Sequence, residues 1–507
     1  MTQLSSAAEA AVHRRVATPS VAQHQSALGP RAFPPAFVFG AATAAYQIEG
    51  AAHEDGRTDS IWDAFARVPG AVVNGDTGEV ACDHYHRYRE DVALMADLGL
   101  QAYRFSTSWS RVRPDGGPVN HDGLDFYSRL VDELLEHGVT PWLTLYHWDL
   151  PQALEAKGGW ANRATAEKFA DYALSVHDVL GDRVRSWSTL NEPWCASFLS
   201  YVGGEHAPGR QEPAAGLAAA HHLLLAHGLA VGELRARDPG LSLGITLNLT
   251  VADPVDPEDA GDVDAARRVD GQFNRFFLDP LFRGTYPEDV LSDVAGHGFE
   301  RVVRQGDLDA ISRPIDTLGV NYYHGDALSA RAGSDEATTA APSIRPKRSP
   351  FVNAEGVHFV SRDLPRTSMD WEVQPEGLTR LLRRVHDEYT KPAGVALAVT
   401  ENGSAYDDTV EADGSIEDHE RTDFLRAHLG AVLDAIDDGV PVGGYFAWSL
   451  LDNFEWAWGY DKRFGIVRVD YETQERTPKR SALEYRRIIG ARELAAPDAD
   501  SPPDTTH

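Results

Sequence analysis

The residues Val395-Ala396-Leu397-Ala398-Val399 run directly into Thr400-Glu401-Asn402-Gly403. Five consecutive apolar residues rich in Ala and Val predict a strand buried on both faces. The Glu and the turn-forming Asn-Gly that follow place a carboxylate at its end. A second stretch, Arg185-Ser186-Trp187-Ser188-Thr189-Leu190-Asn191-Glu192-Pro193, repeats the plan: a short strand, a terminal Glu, and a Pro that stops the ladder. One such Glu is ordinarily a solvated or ion-paired residue. Two at matched strand ends supply what cleavage of a sugar acetal needs, one carboxyl to protonate the departing oxygen and one to attack or to activate water.

From Phe37 onward short apolar runs alternate with segments of helical period, giving eight strand-helix units. The runs are 37–46, 102–106, 141–146, the Glu192 strand, 241–247, 317–320, 395–399 and 442–449. Helices are predicted from Asp83, with Gly99 as C-cap, and over 122–137, 164–180, 213–236, 262–278, 375–388, 420–437 and 478–489. The segment 330–367 has no period and many Ser, Pro and Arg residues; it reads as a long insertion framing a site. Eight units predict an α/β fold, a single (β/α)8 TIM barrel with extended βα loops over 31–490. An open doubly wound sheet is the alternative, but it calls for a Gly-rich phosphate loop after an early strand, and neither GxGxxG nor a Walker sequence is present.

Composition narrows the function classes. Lys and Arg total 47 against 77 Asp and Glu, a net charge of -30, which argues against nucleic acid, anionic membranes and polyanionic substrates. No apolar run approaches the ~20 residues of a membrane span. Cys82 and Cys195 lie far apart and outside any CxxC pair, so two reduced, partly buried thiols are expected rather than a disulfide framework. Arg14-Arg15 has no apolar core after it, so no export signal is read. The chain is expected to be cytoplasmic, with a disordered leader over 1–30 and a disordered tail over 491–507.

In a barrel, chemistry sits at the carboxyl ends of the strands, where Gln47, His147, Glu192, Asn321, Glu401 and Trp448 all fall. Strands four and seven lie roughly opposite, so Glu192 and Glu401 face one another. A separation of about 5–5.5 Å means retention of configuration, and about 6.5–9.5 Å means inversion. Arg104 ends a strand and can keep one carboxylate ionised, or form a salt bridge at the barrel mouth. His147 can donate to a sugar hydroxyl or be a structural residue. The pairs His84/His86 and His221/His222 lack a third ligand at helical spacing, so no metal is expected. No GxSxG element is present. The run from Trp448 to Tyr460 supplies what a pyranose pocket needs, aromatic platforms beside a paired acceptor, in Trp448, Glu455 and Trp456.

Gln47-Ile48-Glu49-Gly50, Tyr146-His147-Trp148-Asp149-Leu150-Pro151, Thr189-Leu190-Asn191-Glu192-Pro193, Asn321-Tyr322-Tyr323, Thr400-Glu401-Asn402-Gly403 and the Trp448 to Tyr460 run resemble, in order, the motifs of family 1 glycoside hydrolases, the β-glucosidase family. The resemblance covers roughly 33–489. It implies a retaining β-glycosidase without a cofactor, acting on a small β-glycoside or oligosaccharide, as a monomer or homo-oligomer. Matched motif by motif, it implies Glu192 as acid/base and Glu401 as nucleophile. Asn191 holds the 2-hydroxyl and Tyr323 hydrogen-bonds the nucleophile. Gln47, His147, Trp148, Asn321, Glu455 and Trp456 bind the nonreducing sugar, with Trp448 as its platform. Trp371 is the aromatic wall of the aglycone site and Phe464 closes the pocket. The rivals are a 6-phospho-β-glycosidase, for which Lys462 speaks and Glu455 does not, a catalytically silent sugar-binding barrel, and a transglycosylase.

Overall fold

Buried on both faces, the apolar runs can satisfy their backbone only by pairing with one another, and the flanking helices cover the outer face. The computed structural model describes residues 29–332, 341–343, 345 and 347–495. Eight parallel strands close into a barrel: β1 (Val38–Ala42), β2 (Ala102–Ser106), β3 (Thr140–Tyr146), β4 (Ser186–Asn191), β5 (Ser242–Asn248), β6 (Thr317–Asn321), β7 (Ala396–Asn402) and β8 (Val442–Trp448). Each pairs with the next in chain order, and β8 closes on β1 from Gly444–Val38 to Trp448–Ala42. Register brings the polar strand ends level: Asn248 pairs with Asn321, and Asn321 with Glu401. Phe446 fills the barrel's lower end against Trp142, ring centroids 5.1 Å apart, and leaves room for no side chain at Gly40, whose Cβ would lie 2.5 Å from that ring.

Most predicted elements stand within a residue or two of those observed; the run predicted over 37–46 is a strand only over Val38–Ala42, with Tyr46 already in the helix Ala45–Ile48, and the helix predicted over 375–388 passes after Val385 into a π-helical turn, His386–Thr390. There are four further differences. The segment predicted as one helix over 262–278 is Ala260–Asp270 and Phe276–Arg283 joined by a π-helical turn, Gly271–Arg275. Helix Pro213–Arg237 is long and apolar enough to cross a membrane, contrary to the expectation that no such run exists. Here 83% of its most apolar stretch is buried and the helix packs on helix Ala164–Leu180, so that stretch faces protein. Asn402-Gly403 forms no turn. Glu401 and Asn402 continue β7, and Gly403 is required because β8 passes so close that a Cβ would lie 1.7 Å from the Trp448 carbonyl oxygen. Finally, residues 491–495 carry on past the predicted boundary: Glu493–Leu494 pairs antiparallel with Arg31–Ala32. The leader before Gly29 and the tail after Ala495 lie outside the described residues.

Among the described parts of the 330–367 insertion, Ser343 donates to the Gly70 carbonyl and Arg345 to that of Gly209, loops that follow β1 and β4. Arg362 ion-pairs with Glu372 at 2.7 Å, which fixes the segment carrying Trp371.

Candidate active site

Arg104, read from the sequence as ending a strand, is the middle residue of β2; it is fully buried and its guanidinium serves two strands at once. One nitrogen ion-pairs with Glu401 Oε1 on β7, and Nη2 donates to Asn191 Oδ1 on β4 at 2.6 Å. A guanidinium has only donors, so the contacting atom of Asn191 must be its oxygen. Asn191 Nδ2 is then the atom 2.9 Å from His147 Nε2, which must accept. The imidazole proton therefore resides on Nδ1, which is buried and has no partner among the described residues. Burial and the Arg104 charge hold the His147 pKa well below its usual value, so the ring is neutral.

Asn321, at the end of β6, is oriented by the same logic. Its Oδ1 accepts from Thr400 Oγ1 at 2.7 Å, and its Nδ2 donates to Glu192 Oε1 at 2.7 Å and Asn191 Oδ1 at 3.1 Å. It is also near enough to Glu401 to favour that carboxylate's ionised form. Glu401 Oε2 accepts from the Tyr323 hydroxyl at 2.7 Å. Glu401 lies just after a register slip in β7, between Val399 and Glu401, the kind of irregularity that re-aims a side chain. Glu192 stands one residue beyond β4 with φ 47°, a left-handed conformation that costs a non-glycine residue about 1 kcal/mol or more.

The two glutamates have different surroundings. Burial raises the Glu401 pKa, while Arg104 and then Tyr323 oppose that rise. Glu192 has no cation in contact. Burial first, and the charge of Glu401 second, push it up to about 8. At neutral pH the pair therefore holds one ionised carboxylate beside Arg104 and one carboxylic acid, the protonation pattern that acid-assisted nucleophilic displacement requires.

Gln47 lies in the short helix Ala45–Ile48 after β1, and its Nε2 donates to Asn453 Oδ1 (3.0 Å) and the Phe454 carbonyl (2.8 Å), which locks it to the loop after β8. Its Oε1 is buried and unpartnered, as is Oε2 of Glu455, whose pKa burial and the charges of Glu401 and Glu192 push up to about 8. Trp448 lies over His147 (5.7 Å, 25° between planes), and Trp456 packs on Trp148 at 4.5 Å. Trp148 is itself held by Nε1 donating to the Asn191 carbonyl at 3.0 Å, so its polar atom is already engaged. On the other side Tyr323, Trp371 and Phe464 form a ring cluster with centroids 5.4 to 6.1 Å apart. Every candidate named from the sequence thus falls within one connected constellation at the mouth of the barrel.

The histidine pairs do not form metal sites. His84 bonds Asp91 and His221 bonds Tyr286 and Asp307, and among the described residues no group of three His, Cys, Asp or Glu could hold a metal. Two residues escaped the sequence reading. Thr400 orients Asn321, and Cys195, expected only as a partly buried thiol, is buried with its Sγ 3.2 Å from Glu192 Oε2. The signal for Cys195 was its place three residues after the acid.

The model of the family described as "Glycosyl hydrolase family 1" matches residues 30–494. The chain is 52% identical over 467 residues to thermostable beta-glucosidase B of Thermobispora bispora, covering 91% of this chain and 92% of that one. It is 50% identical to a bifunctional beta-D-glucosidase/beta-D-fucosidase of Bifidobacterium breve, covering 90% and 98% respectively. Among solved structures, a psychrophilic beta-glucosidase from Micrococcus antarcticus superposes with a TM-score of 0.89 at 59% identity, over 91% of this chain and 98% of that one.

Proposed function

This chain belongs to glycosyl hydrolase family 1, and from that membership we propose that it is a retaining β-glucosidase that removes the nonreducing terminal β-D-glucosyl residue of cello-oligosaccharides or of aryl and alkyl β-glucosides. In the first step Glu401 attacks the anomeric carbon while Glu192 protonates the departing oxygen. In the second, esterified Glu401 no longer carries a charge, one cause of the raised Glu192 pKa is gone, and Glu192 takes a proton from the attacking water. Asn321 Nδ2 bonds Glu192, and the same side chain acts on Glu401, a closeness that favours the about 5–5.5 Å separation of retaining enzymes over the wider inverting gap.

The observation that carries the glycone assignment is three buried polar atoms without partners, Gln47 Oε1, His147 Nδ1 and Glu455 Oε2, beside the Trp448 ring. Left unpaired, each costs about 1–3 kcal/mol, and a ring of hydroxyls with one apolar face satisfies all three. Asn191 and Asn321 serve the hydroxyl next to the reacting carbon, Trp371 walls the aglycone side, and Phe464 closes the pocket behind it. A 6-phosphate finds no counter-charge at Glu455, which repels it when ionised and is neutral when protonated. Lys462, the cation that could receive it, ion-pairs with Asp461 at 3.1 Å and lies over the Trp458 ring. The 50% identical relative named for both β-glucosidase and β-fucosidase activity supports β-fucosides as further substrates within this proposal.

The test is Glu401→Ala. Loss of turnover on a nitrophenyl β-glucoside, with azide restoring formation of the α-glucosyl azide, supports the assignment; full activity of that variant, or wild-type release of α-glucose as the first product by NMR, overturns it.

A further inference from the structure

Cys195 is the first residue of the π-helical segment Cys195–Gly203, and its thiol donates to Glu192 Oε2 at 3.2 Å. Asn248, the last residue of β5, donates from Nδ2 to the sulfur at 3.4 Å. A sulfur that accepts from an amide on one side keeps its S–H for the carboxyl on the other. Each oxygen of Glu192 then faces one neutral donor, Asn321 at Oε1 and Cys195 at Oε2. Packing alone does not call for a thiol here, since an alanine or valine fills such a position without polar chemistry.

We propose that Cys195, oriented by Asn248, is a positioning residue for proton transfer by Glu192, holding Oε2 and stabilising the carboxylate that appears when the proton has left. The proposal rests on the reading of Glu192 as acid/base. In the first half-reaction the Glu192 proton goes to the departing oxygen, the glycosidic C–O bond breaks and the Glu401–carbon bond forms. The new negative charge on Glu192 strengthens the S–H···Oε2 contact, because a donor bonds an ionised oxygen roughly twice as strongly as a neutral one. In the second half-reaction Glu192 recovers a proton from water and the contact relaxes. The thiol stays protonated throughout, since burial and the charge of Glu192 push its own pKa up. The other charged and titratable groups acting on Glu192 and Cys195 are Glu401 on β7, Glu455 after β8, Arg104 on β2, Tyr323 after β6 and Glu205 beyond the π-helical segment. A substitution at position 195 leaves all of them in place.

The experiment compares kcat/KM against pH for wild type, Cys195→Ala, Cys195→Ser and Asn248→Ala, with an alkyl β-glucoside whose leaving group needs a proton. Loss of the donor in Cys195→Ala moves the alkaline limb up by about 0.5–1 pH unit, because Glu192 ionises less readily. The stronger donor in Cys195→Ser moves it below the wild-type position, and Asn248→Ala moves it up by less. A limb that stays within about 0.2 pH unit of wild type in Cys195→Ala, or that moves the same way in the Ala and Ser variants, assigns the thiol to packing and overturns the proposal. Thermal melting reports folding. Should Cys195→Ala fail to fold, Cys195→Ser decides alone: a limb below wild type supports the proposal and an unmoved one overturns it. Failure of the underlying reading has its own signature, a Glu192→Ala enzyme that still cleaves the alkyl glucoside.

Discussion

Tyr323→Phe isolates one hydrogen bond to the nucleophile. The hydroxyl donates to Glu401 Oε2 at 2.7 Å, and the ring contacts with Trp371 and Phe464 survive in phenylalanine. A hydrogen bond to a buried charged group contributes about 1.5–3 kcal/mol. At 1.36 kcal/mol per pH unit, its loss raises the Glu401 pKa by roughly 1–2 units. The sign follows from the donor's preference: the hydroxyl stabilises the ionised carboxylate, so removing it makes Glu401 harder to ionise. Glu401 must be ionised to attack, so the acid limb of kcat/KM moves to higher pH by that amount. Arg104 remains the larger influence holding the pKa down, so the variant stays active near neutrality. The alkaline limb belongs to Glu192 and stays near 8, so the profile narrows from the acid side only. The assay is kcat/KM for a nitrophenyl β-glucoside across both limbs, with thermal melting as control. An acid limb that stays put in a fully folded variant, or that moves down, refutes this account of the nucleophile.

Gly403→Ala drives a methyl toward the Trp448 carbonyl and must separate β7 from β8 at the site; a lowered Tm together with lost activity is expected, and an unchanged enzyme refutes the close-approach reading. Lys479 is fully buried between Asp408 and Asp452, the latter at 2.7 Å; in Lys479→Met, Arg421 still reaches Asp408 and Arg463 still reaches Asp452, each at 2.7 Å, so the loss of the shared cation lowers stability by about 1–3 kcal/mol in urea unfolding. Glu455→Gln replaces the carboxyl proposed to meet the sugar rim by an amide and lowers kcat/KM on β-glucosides by about 5–150-fold, without a change in Tm, as expected when a buried polar group is left mispaired at about 1–3 kcal/mol.

What the sequence made legible has a physical reason. Period and polarity survive in a linear string, so the β7 run from Ala396 and the β4 run from Ser186 were readable as core strands, and their glutamates as a pair. What stayed hidden depends on backbone conformations that residue type does not announce. Trp148, Glu192 and Trp456 all adopt positive φ (78°, 47° and 48°), which bulky residues hold only where their surroundings impose it. The slip in β7 that aims Glu401, and the contact that makes Gly403 obligatory, belong to strand neighbours 45 residues apart in register, Asn402 beside Ala447. The apolar helix Pro213–Arg237 misleads in the opposite direction, because composition reports what a helix avoids, water, and not whether lipid or protein replaces it.

The same distinction separates the two glutamates. Their strand contexts look alike as text, yet one meets a guanidinium and the other an amide and a thiol, and that difference in partners decides which carboxyl keeps its proton. The proposed assignment of Glu192 as acid and Glu401 as nucleophile is supported by Arg104 pairing with Glu401 rather than Glu192.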